Sequence, residues 1–156
     1  MGQYHYVVNL TKREFIHPHK LGCGLKLWEQ IANHPGTGAA LIILLACSNG
    51  RGGGDLKDDP AGMIGRWAGD QIAVVGDYAE NGDLPKQFKA KEIYRQCGDF
   101  ERATPYRDIS EDVAAVIERE LGGKFKGDGW REWTPDDGGD SVRGMRPDLV
   151  ISVPKA

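Results

Sequence analysis

The sequence lacks a basic excess. Its 20 Lys and Arg face 23 Asp and Glu, for a net charge of -3, whereas a broad face that grips nucleic acid needs clustered cations to neutralise phosphates. Cysteine is sparse and unpatterned: Cys23, Cys47 and Cys97 form no Cys-x-x-Cys pair. Neither a disulfide framework nor a zinc knuckle is indicated, and free thiols in a reducing cytosol are expected. The longest apolar run, Ala39 to Cys47, falls far short of the roughly 20 residues that cross a bilayer. The opening Met-Gly-Gln-Tyr-His-Tyr has no basic or apolar region of a signal peptide, and Tyr6 stands where a myristoylation motif wants Ser or Thr. These absences predict a soluble, cytoplasmic protein with no membrane partner. Reaction signatures are missing as well. There is no Gly-Lys-Ser/Thr of a P-loop, no third glycine of a dinucleotide fingerprint and no Gly-x-Ser-x-Gly elbow. The acidic runs Asp77 to Asp83 and Asp136 to Asp140 lack the spacing and terminal Glu of a calcium loop.

What is present suits one globular domain spanning residues 1–156, with 40% apolar and 28% charged residues and enough length to bury a core without disulfides. The 22 glycines are about twice the average share, and they cluster in loops. Tyr4 to Asn9 alternates as a strand, and Glu14 to His17 returns as its antiparallel partner, ending at Pro18. Leu25 to Ala32 reads as an amphipathic helix, with Leu25 and Trp28, and Leu27 and Ile31, on an apolar stripe. Ala39 to Cys47, with Thr37 as its cap, reads as a buried helix stopped by Asn49-Gly50.

Arg51 to Gly62 reads as a loop whose length makes it functional or mobile. Ile64 to Ala68 and Gln71 to Gly76 flank Gly69-Asp70 and predict a β-hairpin, with Val74-Val75 in a central strand. A short helix is expected around Ala90 to Cys97. Ser110 caps a helix whose stripe is Val113, Val116, Ile117 and Leu121, ending before Gly122. Gly127-Asp128-Gly129 and Thr134 to Gly144 read as loops, and Leu149 to Val153 as a last strand. Hairpin strands with helices between them predict an α+β fold, a mainly antiparallel sheet packed with two to four helices.

The densest stretch is His17 to Trp28, and it suggests two sites. Gly22 and Gly24 before a helix, with Lys20 beside them, suit a phosphate or carboxylate at the helix N-terminus, or simply shape a tight strand-to-helix turn. His17 and His19, joined by His5 and an acidic residue such as Asp70 or Asp77, suit a divalent metal that would activate water for hydrolysis. They equally suit an ordinary hairpin surface. No other cofactor is expected. The run Arg51, Gly52, Gly53 and Gly54, followed by Asp55, suits a backbone nest for an anion, a lid, or a plain loop. Cys23 is the one nucleophile candidate, at a helix start near two histidines. Trp28 and Trp67 are expected in the core, Trp130 and Trp133 at the surface, where a shared face would mark a protein contact.

The opening Met-Gly-Gln-Tyr-His-Tyr-Val-Val-Asn-Leu, with Lys-Arg-Glu-Phe-Ile-His-Pro-His-Lys and Gly-Leu-Lys-Leu, resembles a set of small uncharacterised proteins of bacteria and their phages. The resemblance extends loosely through Ser48 to Asp55 and Trp67 to Asp70 as far as Gly76-Asp77-Tyr78, about half of the chain. Cys23 stands where the set would have an acidic residue. The resemblance carries no activity; it implies an intracellular setting and suits a phage-type accessory or counter-defence role. The expected function is therefore that of a small binding protein for a phosphate-bearing ligand or a protein partner, leaning away from catalysis. The alternative is a metal-dependent hydrolase built on His17 and His19.

Overall fold

The computed structural model describes residues 2–98 and 105–136. The fold is α+β. Strands β1 (His5–Asn9) and β2 (Glu14–Ile16) pair antiparallel, with Val8 opposite Phe15. Beyond them come α1 (Leu27–Ala32), α2 (Gly36–Leu45), β3 (Ile72–Gly76), α3 (Ala90–Gly98), β4 (Arg107–Asp108) and α4 (Ser110–Leu121). A separate antiparallel pair, β5 (Gly123–Lys126) and β6 (Glu132–Pro135), follows. The main sheet runs β3-β1-β2-β4, and its β2–β4 pairing is parallel. None of the helices among the described residues is long and apolar enough to cross a membrane.

Strand alternation divides the core. Val7 and Ile16 face a cluster with Leu44, Trp67, Val113 and Ile117, under α2 and α4. Tyr6, Val8 and Phe15 face the opposite cluster, with Ile93 and Cys97 of α3. Both faces of the sheet are therefore covered at β1 and β2, every residue of which is buried.

The expected hairpin around Gly69-Asp70 does not form. β3 pairs instead with β1, Tyr6 opposite Val75, and among the described residues it is an edge strand rather than a central one. Residues 64–68 form turns beneath the sheet, and their backbone caps α2. Gly65 N–H donates to Ile43 O at 2.9 Å and Trp67 N–H to Leu44 O at 2.8 Å, satisfying carbonyls that the helix end leaves open. Gly65 is needed there, since its φ is +74° and a Cβ would lie 2.5 Å from Ala46 O.

Trp67 is fully buried, and its indole N–H donates to the Glu14 carboxylate at 2.9 Å. Arg66 Nε reaches Glu14 Oε1 at 2.9 Å and its Nη2 reaches Oε2 at 2.5 Å. Burial pushes the Glu14 carboxyl up, but the Arg66 and Trp67 hydrogen bonds together outweigh it and hold the group below the usual glutamate range. The Asp70 carboxylate then fastens the following turn onto the β1–β2 connection, accepting from Asn9 Nδ2 at 2.8 Å and Lys12 Nζ at 2.5 Å.

Two helix boundaries also depart from expectation. Thr37 lies inside α2, whose cap is Pro35, and Ser110 is the first residue of α4 rather than its cap. The expected strand Leu149 to Val153 lies outside the described residues.

Glu14→Gln should destabilise the protein by roughly 3 kcal/mol, because it leaves the Arg66 guanidinium without its carboxylate. The double variant Glu14→Gln/Arg66→Met should recover most of that loss, since the amide oxygen still accepts from Trp67 and no orphaned cation remains. Urea denaturation of the three proteins checks both outcomes.

Candidate functional site

The stretch His17 to Trp28 is a junction built from its own side chains. His17 remains extended (φ -92°, ψ 113°) and caps a 3-10 turn, Pro18–Leu21, its Nδ1 accepting from His19 N–H at 3.2 Å. Pro18 fits the first turn because it has no N–H to satisfy. Gly22 closes the turn at φ +75°. Gly24 leaves room for Glu29: a Cβ there would displace the Glu29 side chain from its place against the start of α1. Glu29 Oε2 accepts from Lys26 N–H at 3.0 Å, so the start of α1 already carries an anion from its own first turn.

Lys20 is similarly engaged. Its Nζ lies 2.7 Å from Asp108 Oδ2, and the other oxygen of that carboxylate accepts from Ser110 N–H at 2.8 Å and Ser110 Oγ–H at 2.5 Å. Ser110 Oγ in turn accepts from His17 N–H at 2.7 Å. Lys20 thus neutralises the carboxylate that caps α4 and ties the 3-10 turn to it.

Beside this network lies a polar cleft of about 300 Å³, lined by His17, His19, Lys20, Asp128 and Arg131. The His19 and Trp130 rings stack at 5.5 Å, 5° from parallel. Arg131 is paired with Glu111, Nη2 to Oε1 at 2.5 Å. Burial lowers the His17 pKa to about 4, with the neighbouring His19 and Lys20 acting in the same direction and Asp108 against them. Burial lowers the His19 pKa too. The His17 ring is therefore neutral at pH 7.

His17 and His19 are close, with ring centroids 5.2 Å apart, and Tyr6 stacks edge-on to His17 at 5.1 Å. His5 does not join them. It shares the strand parity of Val7, while His17 shares that of Phe15, so the two project from opposite faces of the sheet. Asp77 sits at the His5 end, accepting from Tyr4 N–H at 2.9 Å. Among the described residues no group of three or more His, Cys, Asp or Glu side chains is placed to hold a metal ion.

The Gly-rich loop also answers its own polar groups. Asp55 Oδ2 accepts from Arg51 N–H at 2.8 Å and Gly52 N–H at 3.0 Å, filling the nest expected over Arg51, Gly52, Gly53 and Gly54. Those backbone bonds hold the Asp55 carboxyl below its usual range. Asn49 bridges to Leu56 through both ends of its amide, Nδ2 to O at 2.9 Å and N–H to Oδ1 at 2.8 Å. Glu120 Oε1 accepts from Lys57 and Asp58 N–H at 2.6 and 2.8 Å. Cys23 is fully buried against α2, not at the start of α1. Burial raises its thiol pKa, and its Sγ accepts from Thr37 N–H at 3.3 Å. A protonated, inaccessible thiol is no nucleophile. Trp130 is exposed, while Trp133 packs on Phe125 at 4.9 Å, so the two do not share an open face.

Sequence reasoning missed an apolar groove of about 620 Å³ between α1, α2 and the edge of β3. Its walls carry Leu27, Ile31, Ile42 and Val74, and Ile31 and Ile42 are 78% and 75% exposed. Trp28, 76% exposed, stands on the same helix. The expected inward stripe of α1 is in fact its outer face. The inner position belongs to Gln30, whose Nε2 donates to His5 O at 3.1 Å and Leu25 O at 3.0 Å. A polar side chain is needed there because those carbonyls face the helix, and the apolar residues are turned outward as a result. Comparison of the chain with protein-family models, with curated proteins and with solved structures finds no match.

The lowered His17 pKa has a consequence for stability. Between its ordinary value near 6.5 and about 4, the unfolded chain takes up a proton that the folded chain refuses. The contribution is therefore complete above the ordinary value and is lost as pH falls through that window. His17→Asn keeps an oxygen for the cap and removes the titration. Between pH 7 and 4.5 the wild type should lose about 1–2 kcal/mol more than this variant, a figure reduced for partial solvation of the ring. Urea denaturation at the two pH values measures it.

Proposed function

We propose that this protein is a binding module that docks an extended, uncharged apolar segment of a partner polypeptide in the groove beside β3. The observation that carries the reading is the coincidence of a strand edge with exposed apolar walls. Among the described residues β3 pairs only with β1, and Ile31, Ile42 and Val74 stand exposed beside its open side. An added strand gains main-chain hydrogen bonds from such an edge, and its alternate side chains fill the apolar pocket. The two places expected to take a phosphate give less support to a small anionic ligand. Lys20 faces Asp108, and the Arg51–Gly52 amides face Asp55.

Titration of the labelled protein with an uncharged, valine-rich peptide should move the Ile72 and Val74 amide resonances and the Ile31 and Ile42 methyls. Ile31→Glu and Ile42→Glu should each weaken binding about tenfold without loss of folding, since both side chains are solvent-facing. Shifts confined to His19 and Trp130, or their appearance with inorganic phosphate instead of peptide, would overturn the reading in favour of a ligand in the polar cleft.

A further inference from the structure

The edge of β3 has a definite register. Leu10 N–H donates to Gln71 O and Asp77 N–H to Tyr4 O, which fixes the parity of the β1–β3 ladder. Gln71, Ala73, Val75 and Asp77 turn their backbone groups toward β1, so Ile72 and Val74 turn theirs outward. Val74 is the middle of the five-residue strand. A two-fold axis at its backbone lays the strand antiparallel on an identical one, in phase for reciprocal hydrogen bonds.

We infer that the occupant of this edge is β3 of a second copy of the chain, forming an isologous dimer in which two four-stranded sheets join. This rests on the docking reading above and names its partner. Three features select a second copy over an unrelated strand. The strand Ile-Ala-Val-Val-Gly carries no charge, and at this register Asp77 faces Gln71 of the second copy, so no like charges meet. It has neither the lysine, the proline nor the bulge that usually guards an edge. The axis stands perpendicular to the sheet and keeps the same face of both copies on one side, so the walls bearing Ile31 and Ile42 beside Val74 lie on the same side of the joined sheet. An unrelated strand would bring no such wall.

Sedimentation velocity of the intact chain over a range of concentrations tests this. The expected result is a reversible dimer, with exchange of the Ile72 and Val74 amides slowing as concentration rises. Val74→Pro removes an outward N–H without touching the β1 ladder, and should weaken self-association about 100-fold. Val74→Lys, which places like charges across the axis, should do the same if the proline variant proves poorly folded. A monomer at every concentration, or a dimer indifferent to both variants, overturns the inference. A synthetic peptide of residues 71–77 separates the two readings. If the wild type is monomeric yet binds the peptide at Ile31 and Ile42, the second copy is excluded and strand docking stands. If it is monomeric and binds nothing there, both fall.

Discussion

The Glu14 carboxylate is the constraint from which the rest of the arrangement follows. It lies in β2, nearly sealed from water, and its oxygens are matched by the Arg66 guanidinium and the Trp67 indole N–H. A buried carboxylate with this many donors is held charged, and a charged group in the core demands that its partners stay. Residues 64–68 are consequently pinned beneath the sheet rather than extended along it. From there they place Trp67 in the core and cap the last carbonyls of α2.

The same chemistry recurs outside the core. Glu29, Asp55, Asp108 and Glu120 each accept from backbone N–H groups of loops or helix starts, and Glu118 from the Phe125 N–H of β5. Glycine-rich turns expose amides that elsewhere cradle phosphate. Here the chain supplies its own anions, so its acidic excess does structural duty in the loops. The Arg51 to Gly62 segment, whose length reads as functional or mobile, is fastened at Asn49, Asp55 and Glu120. The His-Pro-His-Lys run is accounted for in the same terms, with His17 as a cap, Pro18 in the first turn and Lys20 on the carboxylate that caps α4.

Features that depend on nearest neighbours were legible in the sequence. The β-branched and aromatic residues of β1 and β2 suit a pleated strand, and the stripe of Val113, Val116 and Ile117 reports α4, because burial on one face of a helix leaves its period in the residues. Features decided by distant partners were not. The β2–β4 pairing joins Phe15 to Asp108, and nothing in either segment announces the other. The face that α1 turns inward is not legible either, because Gln30 satisfies carbonyls of His5 and Leu25, a demand invisible in the helix itself. Gly22 and Gly24 stand out in the sequence, but Glu29, which fills the space beside Gly24, has only its capping position to signal the role. The pairing of Lys20 with a carboxylate 88 residues away leaves no local pattern.

The expected hairpin and the groove are two sides of one fact. Ile64 to Ala68 has the composition of a strand, and had it paired with β3 the outer backbone groups of Ile72 and Val74 would be satisfied within the chain. The Glu14 clamp takes that segment away, and two hydrogen bonds from it to α2 are gained in exchange for a sheet ladder. β3 still finds one partner in β1, which suffices to hold it, but its other side is left without the strand that its sequence neighbour would have supplied. An apolar, uncharged strand in that position is costly to leave wet. Among the described residues, the interaction that stabilises the interior therefore also leaves one side of β3 open, and the strand exposed there is uncharged.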